Sequence, residues 1–274
     1  MSTDLKGKVA VVTGASRGIG KGIALALAER GCKVFVTGRT SGDGPLSVET
    51  CAKQITEAGG EGIAVICDHG IDSEIEKLFQ TVSQHTDHID FLVNNVYKIP
   101  SPPAWGGGFW DHPIGIWDDQ VGIGLRSHYV ASWHAAALLF KAASGAAILN
   151  VSSPGGQAYH FSSSYGAGKA GLDRLTADMA IELEPKGVAA VVLYPGSVAT
   201  EFIVEASKTQ EMDLSQAQST AFVGKSAVAL LCAEDLMQRS GKISWVEDLA
   251  EEFDITEEDG SRPPRYAQRA GSKA

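Results

Sequence analysis

The sequence predicts an α/β fold in which a doubly wound parallel sheet is covered by helices on both faces. Three observations carry that prediction. Short, continuous apolar runs alternate with stretches of helical periodicity along most of the chain, which is the rhythm of βαβ units and not of hairpins. The runs lack polar–apolar alternation, as expected of strands buried on both faces. A glycine-rich stretch, TGASRGIG, stands between the first run and the first helical pattern, at the end of the strand where such sheets bind ligands.

Taken in order, residues 8–13 (KVAVVT), 33–37 (KVFVT), 62–67 (GIAVIC), 89–94 (IDFLVN), 145–151 (GAAILNV), 187–194 (GVAAVVLY) and 241–246 (GKISWV) read as strands. Each is bounded by turn-forming residues and is too short and too uniformly apolar to be an amphipathic helix. Helical patterns fill the intervals at 18–30, 47–58, 72–85, 117–143, 164–184 and 221–233. With 274 residues, 44% of them hydrophobic and 20% charged, the chain can bury one large core. No Pro/Gly/Ser-rich linker or internal repeat divides it, so residues 1–274 are expected to form a single domain.

Composition narrows the function classes. The formal charge is −10, and eight acidic residues with no basic one lie between Glu247 and Asp259. The body is therefore near neutral, the acidic stretch reads as a solvated face, and nucleic acid is not an expected partner. No apolar run reaches the roughly 18 residues of a membrane span. The first strand begins within about eight residues of Met1, leaving no room for a signal peptide. Cys32, Cys51, Cys67 and Cys232 are widely spaced, which argues for reduced thiols in a cytoplasmic protein and against a disulfide or metal framework. His128, His134 and His160 have no metal-ligand spacing, and no metal is expected.

In TGASRGIG, Gly14 and Gly18 allow a tight turn and close approach of a pyrophosphate, and Gly20 lets helix and strand pack closely. About 20 residues beyond these glycines, an acidic residue would hold the ribose 2′-hydroxyl of NAD(H). Strand 2 ends instead in Thr37-Gly38-Arg39. Arg39, with Arg17 in the turn, suits a 2′-phosphate, so NADP(H) is favoured and NAD(H) remains possible.

Tyr165 and Lys169, in the stretch YGAGK, are four residues apart and share one helix face. Ser153 stands at the end of the fifth strand. A serine hydroxyl can hold a carbonyl oxygen while tyrosine transfers the proton. An ammonium about 4 Å from the phenol supplies roughly the 4 kcal/mol needed to bring tyrosine toward neutrality.

TGASRGIG, LVNN (92–95), Ser153, YGAGK and YPGSVATE (194–201) occur in an order and spacing that resemble the short-chain dehydrogenase/reductase family, from about residue 7 to 246. The resemblance implies a Rossmann-type sheet of seven strands, one NAD(P)(H) per subunit, and hydride transfer between a carbonyl and an alcohol. It implies that Ser153 orients the carbonyl, that Tyr165 is the acid/base, and that Lys169 lowers the tyrosine pKa and binds the nicotinamide ribose. Gly14, Ser16, Arg17, Gly18, Ile19 and Gly20 would line the pyrophosphate and adenosine side, with Asp68 and His69 at the adenine and Asn95 after strand 4. Pro195, Gly196, Val198 and Thr200 would place the nicotinamide carboxamide. Residues 201–220 would form a mobile lid, 247–274 an acidic tail, and helices 117–143 and 164–184 the interface of a homodimer or homotetramer. Further stretches, IWDDQ, GLRSHY, SSPG, SGKISWVEDLAEEF and DGSRP, narrow the resemblance to one subgroup.

This chain departs from the family pattern at three places. Asn94-Asn95-Val96-Tyr97 replaces Asn-Asn-Ala-Gly, Gly124 stands where the long helix usually has Asn, and Val246-Glu247-Asp248-Leu249 replaces VDGG. Trp105, Phe109 and Trp110 are expected in a pocket wall or a subunit interface, and Trp117 at the start of a helix. Gln157, Tyr159 and Phe161 are expected to face the pocket. So many aromatic residues suit an apolar carbonyl substrate such as a lipid, steroid, retinoid or xenobiotic. The competing expectation is an NAD(P)-binding protein without turnover, acting as a redox sensor or scaffold. A nucleotide-sugar epimerase or dehydratase would need more chain after the last strand.

Overall fold

The structure, a computed structural model, describes residues 4–101, 103, 107–210 and 212–266. Seven parallel strands form one sheet in the order β3-β2-β1-β4-β5-β6-β7. They are β1 (Val9–Val12), β2 (Lys33–Gly38), β3 (Glu61–Ile66), β4 (Phe91–Asn94), β5 (Ala147–Val151), β6 (Ala189–Tyr194) and β7 (Ile243–Trp245). Each expected strand is present, with each boundary within two residues of the expected one. The Asp90 carboxylate accepts from the Val9 amide at 2.8 Å and from Lys8 Nζ at 2.8 Å. It therefore ties together the amino ends of the central strands, remote from the crevice.

The helices α1 (Gly18–Ala28), α2 (Val48–Glu57) and α3 (Asp72–His85) follow the first three strands. The sheet separates two apolar layers, one holding Ile23, Leu27, Phe222 and Val228, the other Phe35, Leu78, Ile89 and Leu139. That double burial is what the unbroken apolar strands demanded.

The 117–143 helix expected from the sequence is not one α-helix. A single turn, α4 (Gly115–Trp117), leads into a π-helical segment, Asp118–Arg126, and then into α5 (Ser127–Leu139). Trp117 ends that first turn instead of starting the helix. The wider π winding falls where Gly122 and Gly124 weaken α-helical preference. α6 (Ser163–Leu183) starts where Ser162 Oγ accepts from the Tyr165 amide at 3.2 Å, a capping arrangement that fixes Tyr165 in the first turn.

After β6 come α7 (Glu201–Ala206), α8 (Thr220–Leu231), α9 (Leu236–Arg239) and α10 (Val246–Glu252). The acidic stretch after β7 is not a plain solvated face. Val246, Glu247, Leu249 and Ala250 of α10 are buried, and Gln218 Nε2 donates to the Glu247 carboxylate at 2.7 Å. Glu257 accepts from the Ser219 amide and hydroxyl at the start of α8, while Glu252 pairs with Arg239.

Candidate active site at the carboxyl ends of the strands

Strand order reverses between β1 and β4, and the crevice that opens there is the expected ligand site. On one side is the glycine turn. Gly14 and Gly18 have φ of +63° and +61°, a region that strains any residue with a Cβ. A Cβ on Gly14 would stand 2.8 Å from Val96 Cα. Asn95 Nδ2 donates to the carbonyls of Thr13 at 2.9 Å and Gly14 at 3.0 Å. Asn95 thus braces the turn from behind, and its amide nitrogen is committed there.

His69, expected against an adenine, lies buried beneath the turn. Its Nε2 is 2.7 Å from Thr37 Oγ1, which also accepts from the Gly14 amide at 3.3 Å. Burial pushes the imidazole down to about 4, against the pull of Asp68. Asp68 and Arg39 mark the far end of the crevice, with Nη1 3.7 Å from Oδ2. Ser16 is buried beside Gly38, Arg17 is exposed at the start of α1, and Gly20 packs against Asn95.

These residues fit a dinucleotide. α1 carries no acidic residue in its first turn, yet the Gly18 amide donates to the Glu201 carboxylate at 2.8 Å. An anionic oxygen from another element therefore sits where the helix N-terminus favours negative charge.

On the other side are Ser153, Tyr165 and Lys169. Ser153 lies two residues beyond β5, where its Oγ accepts from the Gly155 amide at 3.1 Å and is hydrogen-bonded to the Tyr165 side chain. Gly155 leaves room for that tyrosine, because a Cβ there would be 2.5 Å from its Cε1. Lys169 is buried and Nζ donates to the Val151 carbonyl at 3.0 Å, lying 5.9 Å from the Tyr165 ring centroid. The ammonium is thus turned toward β5. Burial pushes the Tyr165 phenol up to about 12, opposed by the Ser153 hydrogen bond. It brings the Lys169 amine down to about 8, opposed by Asp173. The group that lowers the phenol here is Ser153 and not the expected Lys169, and burial outweighs it.

Ser153 and Tyr165 open into a cavity of about 250 Å³ that is also lined by Ile19, Tyr97, Phe161, Pro195, Gly196, Val198, Thr200, Phe202 and Ile203. Phe161 holds φ at +56°, a strained backbone for an aromatic residue, and its ring meets Tyr165 edge-on at 5.3 Å. Gln157 and Tyr159 are exposed and do not line the cavity. Phe109 and Trp110 are also exposed, while Trp105 falls outside the described residues. His128 is buried, with Nε2 2.9 Å from the Val96 carbonyl, and His134 stacks on Phe79. His160 meets the hydroxyl of Tyr266. Among the described residues there is no cluster of metal ligands and no helix long and apolar enough to cross a membrane.

Residues 8–211 match the family model described as short chain dehydrogenase. The chain belongs to the short-chain dehydrogenase/reductase family. It is 39% identical to the dehydrogenase/reductase SDR family member 1 of Mus musculus and 37% identical to that of Homo sapiens, each over 95% of this chain and 86% of the relative. The crystal structure of a short chain dehydrogenase from Burkholderia cenocepacia in complex with NADP is 26% identical, covering 89% of this chain and 97% of that one with a TM-score of 0.75. The subgroup narrowed by IWDDQ and its companion stretches is the one these mammalian relatives represent.

In this short-chain dehydrogenase/reductase two residues beside the site, Asp173 and Gln120, were not singled out from the sequence. Asp173, one turn beyond Lys169, accepts a hydrogen bond from Tyr194, and burial raises its carboxyl. Gln120 accepts from Ser162 at 3.0 Å and from Ser164. The spacing of Tyr165, Lys169 and Asp173 at successive fours was visible in the sequence and is the signal that could have found the acid.

Proposed function

We propose that the protein is an NADP(H)-dependent oxidoreductase interconverting a carbonyl and an alcohol on an apolar substrate. The observation that carries this reading is the convergence of Ser153 and Tyr165 on one largely apolar cavity that Ile19 and Thr200 border from the glycine-turn side. A dinucleotide whose pyrophosphate lies along Gly14 to Gly20 would bring the nicotinamide that supplies or accepts the hydride. The Ser153 hydroxyl would hold the substrate oxygen, and Tyr165 would give that oxygen a proton in reduction or take it in oxidation. Lys169 would stabilise the phenolate so formed and hold the nicotinamide ribose. Pro195, Gly196, Val198 and Thr200 would seat the carboxamide, and Arg39 and Arg17 would receive a 2′-phosphate.

Apolar substrates are supported by the wall of Tyr97, Ile99, Pro100, Phe161, Phe202 and Ile203, which offers few polar partners to a small hydrophilic carbonyl. Exposed Tyr129 and Trp133 on α5 and Ile181 on α6 support the meeting of subunits there as a homodimer or homotetramer.

The deciding experiment is NADPH oxidation against a panel of carbonyl compounds, with Tyr165→Phe beside the unaltered protein. Turnover that drops by about a thousandfold in the variant while NADPH affinity holds is the expected result. Nucleotide binding without turnover of any carbonyl would instead favour a sensor or scaffold. Turnover restricted to small polar carbonyls would defeat the apolar assignment.

A further inference from the structure

Two positions at which this chain departs from its family pattern touch one another. Tyr97 follows β4, and Gly124 lies in the π-helical segment. A Cβ on Gly124 would stand 3.1 Å from Cδ2 and 3.4 Å from Cε2 of Tyr97. The tyrosine ring therefore lies over the glycine and fills the room that an asparagine at 124 would use.

That ring has three further neighbours. It meets Tyr165 edge-on, with centroids 5.7 Å apart and planes at 84°. Lys169 Nζ lies 5.4 Å from its centroid, inside the range of a cation–π interaction. Its side chain is hydrogen-bonded to Gln120, which Ser162 and Ser164 anchor in turn.

We propose that Tyr97 is a positioning residue for Lys169 and Tyr165, its ring holding the ammonium against the Val151 carbonyl and fixing the edge of the phenol. The catalytic meaning of this placement rests on the oxidoreductase reading.

The surroundings of Lys169 make the ring matter. Its own helix offers Tyr165 and Asp173, α5 offers His128, β5 the Val151 carbonyl, and β6 offers Tyr194 through Asp173. Of these only Asp173 supplies negative charge, and its carboxylate is engaged by Tyr194. His128 is pushed down to about 3 and stays neutral. With the amine near 8, a modest loss of favourable interaction changes how much of it is charged at neutral pH.

The test has a readout that needs no substrate. In protein carrying 13C-labelled lysine, the Lys169 resonance is identified by its loss in Lys169→Arg, and its titration midpoint is followed. Tyr97→Leu keeps apolar bulk but removes the ring, and the midpoint falls by about 0.5 to 1.5 pH units. Tyr97→Phe keeps the midpoint. Gly124→Asn displaces the ring and lowers the midpoint as Tyr97→Leu does. The double variant Tyr97→Gly with Gly124→Asn recovers the thermal stability lost in Gly124→Asn alone. In carbonyl reduction, Tyr97→Leu brings the alkaline limb of the pH profile down by the same interval, with a loss of kcat at pH 7 of up to about fourfold.

A midpoint in Tyr97→Leu that stays put or rises means the ring does no more than exclude water, and overturns the proposal. Absence of turnover in the unaltered protein would sink the oxidoreductase reading, and the lysine titration would still decide the placement of Lys169.

Discussion

On the glycine-turn side of the crevice backbone meets backbone, whereas on the cavity side Tyr97, Phe161 and Tyr266 meet their neighbours through ring edges and single hydrogen bonds. A Cβ on Gly22 of α1 would come within 2.0 Å of the Thr220 carbonyl of α8, and one on Gly224 within 2.3 Å of the Gly22 carbonyl. A Cβ on Gly124, by contrast, meets only the ring of Tyr97 at 3.1 Å. Backbone cannot yield locally, but a ring can turn. The difference separates a cradle suited to one invariant shape from a wall that can accept new side chains without loss of the fold.

The largest expected effect tests that contrast directly. Gly22→Ala should destabilise the protein by about 3 kcal/mol, lowering the thermal midpoint by roughly 6–12 °C. Gly124→Ala should cost no more than about 1 kcal/mol. Equal losses by calorimetry would break the comparison.

The buried histidines probe both sides through pH. His69, under the turn, is pushed down to about 4, and His128, behind the cavity wall, to about 3. Both folded values lie below the unfolded one near 6.5, so the unfolded chain binds the extra protons. Stability is then fully present above about pH 6.5 and is lost as pH falls toward 4 and 3. Each histidine should remove about 2 kcal/mol between pH 6.5 and 5. In His128→Gln, denaturant titrations at pH 7 and 5 should differ by about that much less. An unchanged slope would mean that the ring is not held neutral.

Smaller still is the cofactor effect of Arg39. Energy transfer from tryptophan to the reduced nicotinamide should show NADPH binding weakened about tenfold in Arg39→Ala, with NADH unaffected. Preference of the unaltered protein for NADH would overturn the reading of Gly38-Arg39. The smallest effect belongs to the exposed pair of Arg126 and Asp72. Asp72→Asn should leave the thermal midpoint where it was, and a clear fall would mean that surface charge holds the π-helical segment in place.

Much of the fold was legible because its determinants are local. All seven strands announce themselves as buried apolar runs, and Tyr165 and Lys169 sit four apart because one helix carries both. The π winding of 118–126 was not legible, since two glycines in a helical pattern weaken an α-helix without specifying what replaces it. The roles of Asn95 and His69 as braces of the turn were hidden for another reason. Their partners Thr13, Gly14 and Thr37 lie 32 to 82 residues away, and such polar contacts leave no periodicity. The fate of Glu247 was hidden likewise, because nothing around it in sequence points to Gln218. The acidic stretch was read as solvated for want of visible cations, yet Arg239, Arg262 and Arg265 reach it from either side.

The hydrogen bond between Tyr266 and His160 has a practical consequence. His160 packs on Phe161, which lines the cavity, so Tyr266 is moored beside the cavity that Ser153 and Tyr165 share. Under the proposed function, an affinity tag or reporter joined directly after Tyr266 is expected to start beside that cavity and to slow bulky substrates. Fusion near Asp4 attaches it instead beside Lys6 and Gly31, at the amino ends of the strands. Kinetic comparisons across expression vectors should therefore be made with the appendage at the amino end.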